Sequence, residues 1–384
     1  VTAPPLLEWV EREQPRRARW RSEAGNTPPR RVQLADDTLS ADAAYRLASE
    51  GTGLLWRGDF QNARQLLQAL ARRADRKPRQ AAKAELAEGD GEGEFHRHRM
   101  RQGQRARILA MLLVQLEGDY GIALRRAPDL RAACSEAWGP ADGELCVASL
   151  RELLGLVGAH EWRKKGVEIP ALGPSPGNRI HAHYGVFSPV RGEYIDLVAN
   201  APLPADSLAF DIGTGTGVLA AVLARRGVQR VIATDQDPRA LACARENLAR
   251  LGLAGRVEVL QADLFPAGQA PLVVCNPPWL PGRPSSPIEH AVYDEGSRML
   301  RGFLAGLAAH LAAGGEGWLI LSDLAEQLGL RSRAELQGWI EAAGLKVLAR
   351  SDIRPRHPKA ADPADPLHAA RSRETTSLWR LAIG

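Results

Sequence analysis

The chain has 384 residues, of which 45% are hydrophobic and 25% charged, a globular balance that excludes collagen-like, disordered and disulfide-scaffold proteins. At roughly 100–200 residues per domain the length suggests two domains, or three. The net charge is +5, and nearly all of that excess falls in about the first 180 residues. A basic half of this kind is suited to ribosome or RNA contact. An Arg- and Ala-rich composition gives the same sign without any such partner.

No apolar run approaches twenty residues, which argues against a membrane span. The opening VTAPPLLEWV lacks the basic-then-apolar order of a secretory signal. Cys134, Cys146, Cys243 and Cys275 are spread out with no C-x-x-C pair, which fits a reducing cytoplasm and offers no zinc site.

The region to about residue 170 is predicted to be mainly helical. Leu47, Leu54, Leu55, Phe60, Leu66, Leu67 and Leu70 recur at helical spacing. Ser40 can cap a helix, and Gly58-Asp59 suits a turn between two helices. Gly51, Leu54, Gly58, Ala63 and Leu67 resemble one tetratricopeptide unit. With no second copy, an ordinary helical hairpin is expected. RILAMLLVQLE (107–117) predicts a buried helix, and the polar GDGEGEFHRHRMRQGQ before it a mobile loop. His96 and His98 sit there without further ligands, so no metal is expected. IPALGPSPGN (169–178) marks the boundary, giving a helical substrate-recognition domain over 1–170 and a catalytic domain over 171–384.

Beyond it, short apolar runs alternate with helical segments. The strands are LAFDIG, RVIATD, VEVLQAD, PLVVCN, GWLILS, KVLARSDI and TTSLWRLAI. The alternation predicts an α/β fold: a Rossmann-like, seven-stranded, mostly parallel sheet closed by an antiparallel pair.

The chemistry gathers at the ends of those strands. In FDIGTGTGVLA, Gly213, Gly215 and Gly217 allow a tight turn and close backbone approach. The G-x-G-x-G spacing differs from the G-x-G-x-x-G dinucleotide fingerprint and suits a cofactor without a pyrophosphate. Asp235 ends the second strand, where a carboxylate can take both ribose hydroxyls. Asp237 before Pro238 reads as a helix cap. Asp263 follows the third strand, where an adenine amino group would need an acceptor. At the end of the fourth strand, Asn276-Pro277-Pro278-Trp279 can hold a planar amine between the Asn276 oxygen and the Pro277 carbonyl, stacked on Trp279. That stacking asks for a flat ring but not for the indole N–H. The alternative is a plain Pro-rich turn with a buried Trp. Arg283, His290 and His357 lie in loops that could face the site, more simply as solvated loop residues.

These motifs resemble the class I S-adenosylmethionine-dependent methyltransferases, in the "small-domain" branch with an N-P-P-aromatic motif. DIGTGTG, ATDQDPRALACARENL, YGVFSPVRGEYIDLV and DEGSRMLRGFL are most similar to HemK-type protein glutamine N5-methyltransferases, which modify release factors. Those enzymes usually carry Tyr where Trp279 stands, and GVFS is shared with ribosomal-RNA guanine methyltransferases. The first 170 residues match neither closely.

The resemblance implies S-adenosyl-L-methionine as cofactor, with Asp211, Gly213, Thr214, Gly215, Asp235, Asp263 and Asn276 at cofactor positions. Asn276, Pro277, Pro278 and Trp279 would form the catalytic clamp. No metal is implied. The reaction would be an in-line methyl displacement whose barrier is largely one of alignment, worth on the order of 7–11 kcal/mol. The expected acceptor is a macromolecular amide or amine, a protein glutamine ahead of an rRNA or tRNA base (adenine N6 or guanine N2). A non-catalytic cofactor-binding scaffold is a third reading, against which the intact Asp and Asn set argues. A small-molecule acceptor stays open.

Overall fold

The computed structural model describes residues 4–76, 91–284, 289, 291–356, 362, 365 and 367–384. The chain forms two compact units that divide between Glu161 and Trp162.

The first unit is organised around a sheet. Its strands are β1 (Leu6–Glu11), β2 (Gln14–Trp20), β3 (Arg31–Ala35), β4 (Thr52–Trp56), β5 (Leu112–Leu116) and β6 (Cys146–Ser149), in the order β1-β2-β6-β5-β4-β3. Helices α1 (Ala41–Ser49), α2 (Phe60–Ala74), α3 (Gly91–Leu109), α4 (Arg131–Trp138) and α5 (Leu150–Lys165) accompany them. Leu7, Trp9, Ala18, Trp20, Leu55, Leu113 and Val147 pack together as one apolar cluster on this sheet.

The expected helical domain is therefore corrected to an α/β unit. Gly51, at φ +79°, turns the chain out of α1, and the next five residues, TGLLW, are all buried. A short run buried on both faces fits helix and strand templates alike, so its partners decide. Here β3 and β5 flank β4, both parallel to it. Gly58-Asp59 is thus a strand-to-helix turn, with Asp59 capping α2 through the Gln61 N–H. The run 107–117 is cut likewise: α3 ends at Leu109 and β5 begins at Leu112. From Gly91 onward, the segment expected to be a loop belongs to α3, with His96 and His98 two residues apart on the helix. No group of His, Cys, Asp and Glu among the described residues is arranged to hold a metal. Ser40 does cap α1, accepting from the Ala43 N–H.

In the second unit the Pro/Gly stretch is part of the fold. Ile169 and Leu172 are buried, and β7 (Val167–Glu168) pairs antiparallel with β8 (Arg179–Ile180). After α6 (Glu193–Asn200) come β9 (Leu208–Ile212), α7 (Val218–Arg225), β10 (Arg230–Asp235), α8 (Pro238–Arg250), β11 (Val257–Gln261) and β12 (Ala270–Cys275). Then follow α9 (Arg298–His310), β13 (Leu311–Ser322), α10 (Leu324–Gln327), α11 (Arg333–Ala342), β14 (Leu345–Ile353), α12 (His368–Arg371) and β15 (Thr376–Ile383). The seven-stranded sheet has the order β11-β10-β9-β12-β13-β15-β14. It is parallel through β13 and antiparallel at β15 and β14, as the strand–helix alternation predicts. Helix α7 is buried from Val218 through Ala224, which makes it a core helix rather than an amphipathic one.

The order positions the site. β9 and β12 are neighbours, and the chain leaves them in opposite directions across the sheet. In open α/β sheets the crevice at such a reversal, beyond the carboxyl ends of the strands, is where ligands bind. No helix among the described residues is long and apolar enough to cross a membrane.

Candidate functional site

A cavity of about 840 Å³ opens at this reversal, within the usual range of small-molecule sites. One wall is the turn from β9 into α7. Gly213, Gly215 and Gly217 have φ of +71°, +55° and +80°. At Gly213 a Cβ would meet Met299 Cε, the movable end of a flexible side chain, so the positive φ is what favours glycine there. The Thr214 N–H donates to the Thr234 carbonyl at 2.8 Å, tying the turn to β10.

The expected cofactor residues divide into two groups. Thr214, Gly213, Gly215, Asp235 and Asp263 line the cavity. Asp211 does not: it is 1% exposed, beneath the turn, and accepts from the Thr214 hydroxyl at 2.6 Å and the Ala220 N–H at 3.0 Å. Burial pushes its carboxyl up to about 6. Asp235 Oδ2 accepts from the Gly215 N–H and its Oδ1 from the Asp237 N–H, both at 3.0 Å. Each oxygen therefore keeps a lone pair for a ligand hydroxyl. Burial raises this carboxyl as well. Asp237 caps α8 through the Arg239 N–H at 2.9 Å. Asp263 is exposed at the mouth, and the adjacent Leu264 carbonyl is held by the Thr234 hydroxyl at 2.5 Å.

The opposite wall is the N-P-P-W turn. Asn276, Pro277, Pro278 and Trp279 all line the cavity. The Trp279 indole N–H donates to Asn276 Oδ1 at 2.8 Å. An indole nitrogen only donates, so the Asn276 atom facing it is the oxygen. The indole N–H, expected to be dispensable, thus fixes which way the amide points. The following loop folds back onto the motif: Leu280 N–H donates to the Val292 carbonyl at 3.1 Å, and Asp294 N–H to the Leu280 carbonyl at 2.9 Å. Asp294 Oδ2 then caps α9, accepting from the Met299 and Leu300 N–H groups.

Residues 177–327 match the family model of the methyltransferase small domain. A release factor glutamine methyltransferase of Cereibacter sphaeroides is 33% identical over 205 residues, spanning 49% of this chain and 71% of that protein. The chain belongs to the small-domain branch of the S-adenosylmethionine-dependent methyltransferases. A ribosomal protein L11 methyltransferase of Pelotomaculum thermopropionicum is 49% identical over 69 residues, 17% of this chain and 22% of that protein. Among solved structures, a ribosomal protein L11 methylase from Lactobacillus delbrueckii subsp. bulgaricus aligns over 55% of this chain and 89% of its own, with 16% identity and a TM-score of 0.38.

In this methyltransferase, several lining residues escaped the sequence reading. Val186, Phe187, Arg191 and Tyr194 come from the segment before β9, Arg298 and Met299 from the start of α9, and Arg371 from α12. The phrase YGVFSPVRGEYIDLV was legible as a family resemblance, but no spacing rule ties it to the strand ends. Arg283 is not among the lining residues. His290 and His357 lie outside the described residues.

Proposed function

We propose that the protein methylates a planar amide or amine nitrogen of a macromolecule, and that a glutamine side chain of a protein is the acceptor. The observation that carries this reading is the oriented Asn276 amide, in one cavity with the glycine turn. An acceptor needs two hydrogen-bond acceptors for its N–H groups, and Asn276 Oδ1 and the Pro277 carbonyl supply them. Asn276 Oδ1 keeps a second lone pair beside the one given to Trp279. Pro277 and Pro278 carry no N–H to compete for these oxygens. Such fixed acceptors favour the positive charge that develops on nitrogen as its lone pair leaves conjugation.

The cofactor supplies a methyl group already activated on a sulfonium. Asp235 would hold its ribose hydroxyls, Asp263 its adenine amine, and Gly213, Thr214 and Gly215 would present backbone to the remainder. Asp211 acts beneath them, holding Thr214 and the start of α7 rather than touching the ligand. The first unit recognises the macromolecule, in a cytoplasmic setting. The named activities of the two bacterial relatives, on release factors and on L11, support a protein acceptor.

The test is incubation with labelled S-adenosylmethionine and lysate from cells lacking the protein. Protease should release the label, and it should map to glutamine nitrogen. Release by ribonuclease would favour the RNA-base reading instead.

A further inference from the structure

Three arginines line the cavity without a part in the glycine turn or the clamp: Arg298, at the start of α9, Arg191, just before α6, and Arg371, at the end of α12. The Arg191 side chain is only 21% exposed. Among the described residues its one ionic contact is Glu374 Oε1, at 3.5 Å, and its guanidinium makes no hydrogen bond. Glu374 is 1% exposed and gives that same oxygen to the Ser322 hydroxyl at 2.7 Å. Arg371 lies close enough to repel Arg191, and its Nε is 3.0 Å from Asp365 Oδ2. A guanidinium carries five N–H donors, and none of the Arg191 nitrogens is both buried and unpaired, so its donors open into the cavity. Such an arrangement is completed by an anion in the cavity, and the planar fork of arginine matches a carboxylate.

Sheet order says which half of the cavity this is. Asp235 and Asp263 follow β10 and β11, on one side of β9. Ser322 ends β13 and Glu374 lies two residues before the start of β15, beyond β12 on the other side, where the acceptor clamp stands. The charge of the lining also limits the anion. Its described residues include three arginines (Arg191, Arg298, Arg371) and three aspartates (Asp235, Asp237, Asp263), with no lysine. A nucleic-acid strand calls for a row of cations along successive phosphates. A balanced lining with one arginine pair fits a single compact anion.

We infer that Arg191, with Arg371 nearby, binds a carboxylate of the methyl acceptor, so that the enzyme selects a target amide flanked by an acidic side chain. This rests on the protein-amide reading above and adds a determinant of which glutamine is taken.

The test uses the full chain saturated with S-adenosylhomocysteine. It is titrated with acetyl-Asp-Gln-Gly-amide, with acetyl-Asn-Gln-Gly-amide and with a uridine tetranucleotide. The acidic peptide should bind about tenfold or more tighter than the neutral one, the scale of a hydrogen bond to a charged group. Arg191→Gln should erase that preference and leave cofactor affinity within about threefold, since a lost charged contact would cost tenfold or more. Arg191→Lys should keep part of the preference. Equal binding of the two peptides by the wild type, including none, overturns the proposal, as does preferred binding of the tetranucleotide. So does an Arg191→Gln protein that loses cofactor affinity tenfold with the peptide preference intact. The wild-type comparison stands even if Arg191→Gln does not fold. Methyl incorporation into glutamine is scored separately, so a failed anion subsite and a failed amide reading give different results.

Discussion

At the scale of single residues, the contact between Trp279 and Asn276 makes one side chain responsible for another's orientation. Trp279→Phe keeps the ring and removes the donor that fixes the amide oxygen. A neutral hydrogen bond is worth about 0.5–1.5 kcal/mol, so turnover should fall roughly three- to tenfold. Asn276→Ala removes the acceptor itself and should cost about 10²–10³ in rate. Both should leave S-adenosylhomocysteine affinity nearly unchanged in calorimetry, whereas Asp235→Ala should weaken it roughly ten- to a hundredfold, the worth of a charged hydrogen bond. Single-turnover rates at the wild-type level for both clamp variants would reduce the N-P-P-W motif to a turn. Asp211 makes a different prediction, about pH. Burial disfavours the charge and pushes its folded carboxyl from the ordinary aspartate value near 3.8 up to about 6. The folded state therefore binds the proton more tightly, and this residue's contribution to stability falls as pH rises from about 4 to 6. The shift corresponds to something on the order of 3 kcal/mol. Asp211→Asn has no proton to lose, so its stability in urea titrations should be flatter over that window than that of the wild type. Parallel pH profiles for the two proteins would contradict the buried-charge account.

At the scale of elements, the turn from β9 into α7 is shaped from beneath by Asp211 and from above by Met299. Gly213→Ala places a Cβ in the left-handed region, and Met299 Cε, the movable end of a flexible side chain, must shift to admit it, so backbone strain is the main cost. Strained backbone alone costs about 1–3 kcal/mol, so the variant should unfold at clearly lower urea and bind cofactor weakly. Gly215→Ala bears the same backbone penalty, with open space around the added methyl, and should lose a similar amount of stability in the same titration. This turn was legible in the sequence because G-x-G-x-G between a strand and a helix is a backbone requirement written in residue type. So were the Asp237 cap and the Asn-Pro-Pro stop after β12. β4 and β5 were not. TGLLW and LLVQL are short apolar runs, and their strand character comes from neighbours brought close by a fold the run does not encode. Arg191 was illegible for a related reason. It reaches the cavity through the placement of α6 beside β15, a long-range contact with no local signature.

At the scale of the whole molecule, everything proposed for methyl transfer belongs to the second unit. Every described residue lining the cavity falls between Gly185 and Arg371. The two apolar clusters that sandwich the seven-stranded sheet are drawn from Ile169 to Leu381. The first unit has its own sheet and its own cluster, and none of its described residues is among those lining the cavity. A unit with its own core and cavity is expected to fold and hold cofactor alone, and the role proposed for the first unit is recognition of the acceptor. A shortened chain of residues 162–384 should therefore give a cooperative melt and S-adenosylhomocysteine affinity within a few-fold of the full protein. Its methylation of the macromolecular acceptor should drop by far more, with the loss in KM for that acceptor. The cut falls inside α5, so a second chain from Leu150 keeps that helix whole and guards against a frayed end. If either shortened chain methylates the acceptor at the full rate, recognition lies in the second unit as well. If neither binds cofactor while both remain folded, the cavity as assigned is not the cofactor site.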